Sequence, residues 1–414
     1  MFDREGSGTM YRKTFIAGWV VLMAAVAGAS GFGLYEASAS SSALGGAVLG
    51  RAVDASANFH NPATLTDLTN VTLTTGFMTE HPRARIKAGG ESSSAMDPGL
   101  FWLPHVHAAV PLPWDFSFGL GVMPEYGLGT AYDDNWALAN NSLETTVMSF
   151  TVNPNLAWKI TDDWSVGAGP RFLFFDFEQY SRPMTAAGPF ENRLWGDNRM
   201  GDIGWQIGTS YRIVDSFAVG VVYKSSTIVN VEGKTENDAV LPQAAPYAAA
   251  ASGHAETELE LPQSVTGGFN WDVTDTVHLG GMVAWTQWSS VGVLNFDLAG
   301  MQKDILLRWD DTYRVGLAPS WDFAENWTAM GSYVYETDCC GDQESTMLPA
   351  ADRHMFNFGL AWRCLENLEL SLVYGLIIMD AKDTQARGPA GDLVGYRAYR
   401  GLSHAAGFSI TYRF

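Results

Sequence analysis

The chain has 414 residues, 45 acidic against 25 basic, for a formal net charge of −20 at pH 7. An acidic surface repels phosphates, which argues against a nucleic-acid partner. Three cysteines make no disulfide framework, no cofactor motif is present, and no apolar run of 18 residues follows the N-terminal region, which excludes a bundle of membrane helices. Residues 1–29 read as a secretory leader. Arg12 and Lys13 form its basic start, Thr14–Val26 its short apolar core, and Ala27-Gly28-Ala29 a small-residue cleavage site, with Met10 as an alternative start. The leader is set aside from the fold.

Residues 30–69 come next. From Ser30 to Ala63, 19 of 34 residues are Gly, Ala or Ser, yet Phe32, Leu34, Tyr35, Leu44, Val48, Leu49 and Phe59 are interspersed. Small residues allow close backbone packing, and the apolar ones argue against a merely solvated tail. The segment reads as a plug folded into a confined space. From residue 70 the chain alternates apolar and polar with period two. Strands are expected at 70–79, 101–112, 116–124, 143–159, 164–177, 202–213, 216–230, 256–272, 276–290, 306–322, 326–336, 352–363, 368–380 and 403–414. Most reach the roughly 9–11 residues a tilted transmembrane strand needs. Short turns at one end alternate with longer loops at 80–100, 125–142, 178–201, 231–255, 291–305, 337–351 and 381–402. That asymmetry belongs to outer-membrane barrels, and 15 Trp, 15 Tyr and 22 Phe suffice for interfacial girdles. The expected fold is an all-β antiparallel transmembrane barrel of about 14 strands, 70–414, with the plug in its lumen.

In the last strand Phe408, Ile410, Tyr412 and Phe414 face one way and Ser409, Thr411 and Arg413 the other. A terminal aromatic there resembles the signal read by the bacterial barrel assembly machinery. Pro124, flanked by Gly119, Gly121 and Gly127, interrupts the third strand, because proline lacks a ladder donor. Cys339 and Cys340 are adjacent in an acidic loop and read as an ordinary loop, with metal binding the weaker alternative; Cys364 carries no assigned role. His105 and His107 share one strand face, as metal ligands could, though barrel wall is the simpler reading.

The mature chain resembles the FadL family of outer-membrane transporters for long-chain fatty acids and other hydrophobic compounds. The resemblance is carried by Ser30-Gly-Phe-Gly-Leu-Tyr-Glu36, Ser38-Ala39, Leu44 through Gly50, Asp54-Ala55-Ser56 and Phe59-His-Asn61-Pro62-Ala63. Ser117 to Pro124 with Tyr126-Gly-Leu128, Trp309-Asp310 with Thr312-Tyr-Arg314, and Asp352-Arg353-His354 add barrel matches. It implies a bacterial outer-membrane address, contact with lipid and lipopolysaccharide, a monomer, and a hydrophobic ligand bound in the lumen. Ser30, Gly31, Phe32, Glu36, Asn61, Pro62 and Ala63 are the plug and gating candidates. Met123, Pro124 and Tyr126 are candidates for a lateral opening, closed by plug residues near Phe32 and Asn61-Pro62-Ala63. A buried carboxylate ligand needs a cation or several donors. Alternation aims Arg171, Lys224, Arg314 and Arg353 inward as head-group candidates, each of which could instead pair with a plug or wall carboxylate. Uptake of aromatic or other neutral hydrocarbons is the alternative. A diffusion porin is disfavoured by the plug. An outer-membrane enzyme is disfavoured because none of the eight histidines has a Ser/His/Asp or Gly-x-Ser-x-Gly context.

Overall fold

The computed structural model describes residues 31–88, 92–199, 201–298, 301–307, 309–341, 346–348 and 350–414. The leader and Ser30 lie outside them. Fourteen antiparallel strands close on themselves, because the first, Thr72–Ala88, pairs with the last, Gly401–Arg413, from Thr72↔Arg413 to Arg83↔Leu402. No described helix is long and apolar enough to cross a membrane. Closure removes free edges, which lipid would not tolerate.

Period-two alternation decides the two faces. In the last strand Ser409 and Thr411 are buried while Phe414 stands exposed. Trp102, Val106, Ile203, Trp205, Ile207, Tyr313, Val315, Leu317, Phe358 and Leu372 are all exposed on the outer face. These form the apolar belt that lipid would cover.

Several expected loops are instead strand. The first strand runs to Ala88, the fifth covers Trp164–Ser181, and the last outer loop holds a hairpin of Lys382–Arg387 with Leu393–Ala398. Alternation continues past the membrane span there, so polarity alone marked the loops too early. The Ala-rich tract in the 231–255 region forms the short helix Ala245–Ala250, as alanine's helix preference favours. Two expected continuous strands are broken: Phe217–Lys224 from Thr227–Ala239, and Gly253–Leu261 from Ser264–Asp272, the latter at Pro262. The strand expected at 276–290 ends at Thr286, before a short 3-10 turn, Trp288–Ser290, and Val293–Leu298 pairs with Met301–Leu306 where a loop is expected.

Residues 31–69 run inside the wall. Short helices Ala39–Ala43 and Ala57–His60 lead to a 3-10 helix, Pro62–Asp67. The first packs on the strands around residues 327–413, the others on those between 101 and 214. Small residues allow this contact. At Gly220, any Cβ would sit 1.9 Å from the Leu49 carbonyl oxygen.

Candidate functional site

The third strand breaks where proline predicts. Phe116–Met123 pairs with its predecessor only from Leu112↔Phe116 to Val106↔Val122, and the continuation Gly127–Ala131 pairs only with the fourth strand. Met123 lies opposite Thr151 and Gly127 opposite Met148, so three residues, Pro124–Tyr126, span Ser149 and Phe150. This is a bulge, which bends the strand away from its neighbour. The outer half of the second strand, from Phe101 to His105, therefore has the first strand on one side and no ladder on the other.

The N-terminal segment occupies this break. The Leu34 N–H donates to the Glu125 carbonyl and the Gly127 N–H to the Phe32 carbonyl, both at 2.8 Å. Gly33 and Tyr126 make the antiparallel bridge between them. The segment thus supplies the backbone pairing that the kinked wall lacks. Met123 and Tyr126 are both buried. Asn61-Pro62-Ala63 lies elsewhere, which corrects its expected place at the opening. Pro62 packs at Gly167, Asn61 packs at Gly208, and the Asn61 Nδ2 donates to the Leu49 carbonyl at 2.7 Å and the Thr209 carbonyl at 3.0 Å. Its Oδ1 caps the following turn through the Ala63 N–H. The Asn-Pro pair is therefore a seat against the fifth to seventh strands. Ser38 and Asp54, from two of the matched patches, meet through a 2.6 Å hydrogen bond.

Two adjoining cavities lie within the wall. One, with about 620 Å³ of free space, its mouth included, is lined by Tyr35, Phe59, His60, Glu125, Tyr126, Lys224, Trp288 and Arg314 among others. The second, about 650 Å³ on the same measure, is lined by Phe32, Leu128, Val147, Phe175, Phe177, Val231, Leu259, Trp309 and Leu348, with Thr257 the only hydroxyl-bearing residue among the described lining. Phe32 stands between them. Its ring is 5.0 Å from Trp288, 5.9 Å from Tyr126, 6.0 Å from Trp309 and 6.5 Å from Phe175. Such edge-to-face contacts each add about 0.5–1.5 kcal/mol beyond area burial.

All four basic candidates point inward, but they divide. Arg171 and Lys224 converge on Glu125, at 2.6 Å and 3.3 Å, and the Thr151 hydroxyl adds a 2.8 Å hydrogen bond. The Lys224 ammonium also lies 3.2 Å from the Phe59 ring centroid. Arg353 sits apart, buried beside Glu336 at 4.0 Å. Arg314 lines the polar cavity, stacked 3.5 Å over the Tyr35 ring, with its Nε lacking a partner among the described residues. Glu36 lies just beyond, its carboxylate accepting the Tyr35 N–H at 2.9 Å. Burial pushes its pKa up, against the pull of that hydrogen bond. Burial likewise holds the His60 imidazole well below its usual pKa, reinforced by the Lys224 and Arg314 charges.

Residue patterns missed several members. Glu125 stood inside a recognised motif, beside Pro124, but only the folded wall brings it to Arg171 and Lys224. Trp288 is fully buried because the break after Thr286 turns it inward. Asn58 joins Asn153, Asn155 and Gln206 in a buried amide network. His105 and His107 are wall residues, bonded to Ser409 and to the Ala37 carbonyl.

Comparison with known proteins agrees with this architecture. Residues 20–414 match the family described as "Outer membrane protein transport protein (OMPP1/FadL/TodX)". The long-chain fatty acid transport protein of Escherichia coli O6:H1 is 25% identical, covering 88% of this chain and 90% of its own. Outer membrane protein P1 of Haemophilus influenzae is 22% identical, covering 89% and 90%. A Pseudomonas aeruginosa FadL homologue superposes with a TM-score of 0.81 at 17% identity, over 93% of this chain and all of its own. The Pseudomonas putida toluene transporter TodX gives 0.74 at 15% identity, over 93% and 99%. With its closed fourteen-stranded wall, this chain belongs to the FadL/TodX family of bacterial outer-membrane transport proteins.

Proposed function

We propose that the barrel carries hydrophobic compounds, foremost long-chain fatty acids, across the outer membrane, by binding in the lumen, rearranging the N-terminal plug and releasing ligand sideways into the bilayer. The observation that carries this reading is the junction at Phe32, where an apolar cavity meets a polar one lined by Arg314, whose Nε lacks a partner among the described residues. The apolar lining suits an acyl chain and the polar one a carboxylate. Arg314 is the head-group residue, since Arg171 and Lys224 are already held by Glu125 and Arg353 lies beside Glu336. A guanidinium matches a carboxylate bidentately. The related proteins named for long-chain fatty acid transport are consistent with this assignment.

Release follows from the pairing at the kink. Displacing Phe32 breaks the backbone bonds of residues 32–34 to residues 125–127, and the wall beside Phe101–His105 then has no strand to close it. Gly31, Phe32 and Glu36 move in this step, while Asn61, Pro62 and Ala63 anchor the segment's far end. The protein acts as a monomer and not as an enzyme, after removal of residues 1–29 and insertion by the assembly machinery through the strand ending at Phe414. Lipid and lipopolysaccharide surround the outer belt.

Neutral aromatic hydrocarbons form the second reading, favoured by the almost wholly apolar second cavity and by the structural neighbour named as a toluene transporter. Growth of a deletion strain carrying this chain on oleate, on toluene and on maltose separates the readings. Rescue on oleate supports fatty-acid transport, rescue on toluene alone supports the hydrocarbon reading, and rescue on neither overturns both.

A further inference from the structure

The paired cysteines have a place in the plug's anchorage. Cys339 and Cys340 follow the eleventh strand, Trp327–Glu336, and both are buried. Their sulfurs are 3.6 Å apart. The Gly31 N–H donates to the Cys339 Sγ at 3.1 Å, joining the start of the described plug to a loop 308 residues away. Gly31 has φ +62°, and a Cβ there would meet the Trp288 ring at 2.4 Å, so its approach is tightly specified. Both sulfurs belong to the apolar cluster that holds Phe32, Trp288 and Trp309.

A metal site is the weaker use of these groups. Asp338 is the third residue near enough to join the two cysteines. Its carboxylate already accepts the Cys340 N–H at 2.9 Å and pairs with Lys382.

We propose that Cys339 and Cys340 are an oxidation site: a vicinal dithiol that closes to a disulfide and thereby loosens Gly31 from the loop. Disulfides persist in the envelope outside the cytoplasm. The oxidant is a disulfide of a protein oxidoreductase or a small thiol. Cys340, the more accessible of the two, attacks one of its sulfurs as thiolate, forming a mixed disulfide and expelling one thiol. Cys339 then attacks the Cys340 sulfur and expels the second. Two electrons and two protons pass to the oxidant, which leaves as two thiols. The Cys339 sulfur becomes a poorer acceptor and rotates toward its neighbour, so the Gly31 contact weakens. Oxidation therefore favours release of the plug.

Full-length protein in detergent, either reduced with dithiothreitol or oxidised with diamide, is denatured and its free thiols counted by maleimide mass tagging. Two tags should be lost on oxidation without intermolecular dimers, and Cys364→Ser should leave that loss unchanged. Proteolysis of the N-terminal segment in the folded protein should be roughly two- to tenfold faster when oxidised, the range for one net hydrogen bond. Cys339→Ser, whose hydroxyl still accepts from Gly31, should show one rate under both conditions. Three tags after oxidation, dimers as the product, or equal wild-type proteolysis rates would overturn the proposal. These readouts do not depend on the transport reading: a protein that fails to rescue growth but loosens its plug on oxidation sinks that reading and leaves this one standing.

Discussion

Single residues inside the wall act through what burial does to their charge. Glu36 is an acid whose pKa burial raises, so the seated plug prefers it protonated. Its contribution is complete below the ordinary carboxylate range and is lost as pH climbs past the raised value. Above the ordinary carboxylate range, unseating the plug lets Glu36 ionise in water, so the seated state loses stability as pH rises. Glu36→Gln keeps an acceptor for the Tyr35 N–H and removes the charge. The variant's plug should resist protease better than wild type at pH 8, and the difference should vanish near about pH 4, where model carboxylates titrate. Arg314 makes the opposite case. Its Arg314→Ala variant should weaken binding of a long-chain carboxylate at least about tenfold, since hydrogen bonds to charged groups contribute about 1.5–3 kcal/mol. Binding of a neutral hydrocarbon of similar size should change far less. Equal losses, read by calorimetry on both ligands, would make Arg314 a support for Tyr35 and not a reader of the head group.

At the scale of elements, the kinked third strand is the piece with most consequence. Its bulge is legible from Pro124 and the flanking glycines, whose local chemistry opposes a regular ladder. Its stabiliser, Glu125 held by Arg171 and Lys224, is not legible, because those cations come from the fifth and seventh strands. Glu125→Ala would leave two buried cations without their counter-ion. Breaking one side of a buried pair costs about 3–5 kcal/mol, so the variant should unfold at lower urea in a heat-modifiability gel. Deleting Met123–Glu125 removes the bulge together with the acid. That deletion should still give a barrel that migrates as folded, but with uptake abolished, because a continuous ladder seals the wall. Normal uptake by the folded deletion would exclude lateral release here and leave a path to the periplasm.

The whole molecule is a container matched to its contents. The wall presents small residues where the N-terminal segment passes, and that segment presents backbone polar groups to the wall's kink. Gly220→Val should therefore form a closed barrel yet unseat the segment, since any side chain there meets the Leu49 carbonyl. A protease site introduced near Ser40 measures this. It should be protected in intact membranes for the wild-type wall and cleaved for Gly220→Val. Ready cleavage in both would mean that residues 31–69 do not stay in the lumen.

By itself, the sequence determined how many strands there are and which side chains face inward. Both follow from period-two alternation, a local property that survives whatever the distant chain does. It therefore aimed Arg171, Lys224, Arg314 and Arg353 at the lumen and Phe408, Ile410 and Tyr412 at lipid. Only the tertiary structure decided which inward groups meet. That depends on barrel closure, strand stagger and the breaks that swing Trp288 and Glu125 off the regular ladder. Glu125 with Lys224, Phe32 with Trp288 and Trp309, and Gly31 with Cys339 are pairings across the lumen. Their residues lie far apart along the chain, and nothing in the local pattern of one names the other.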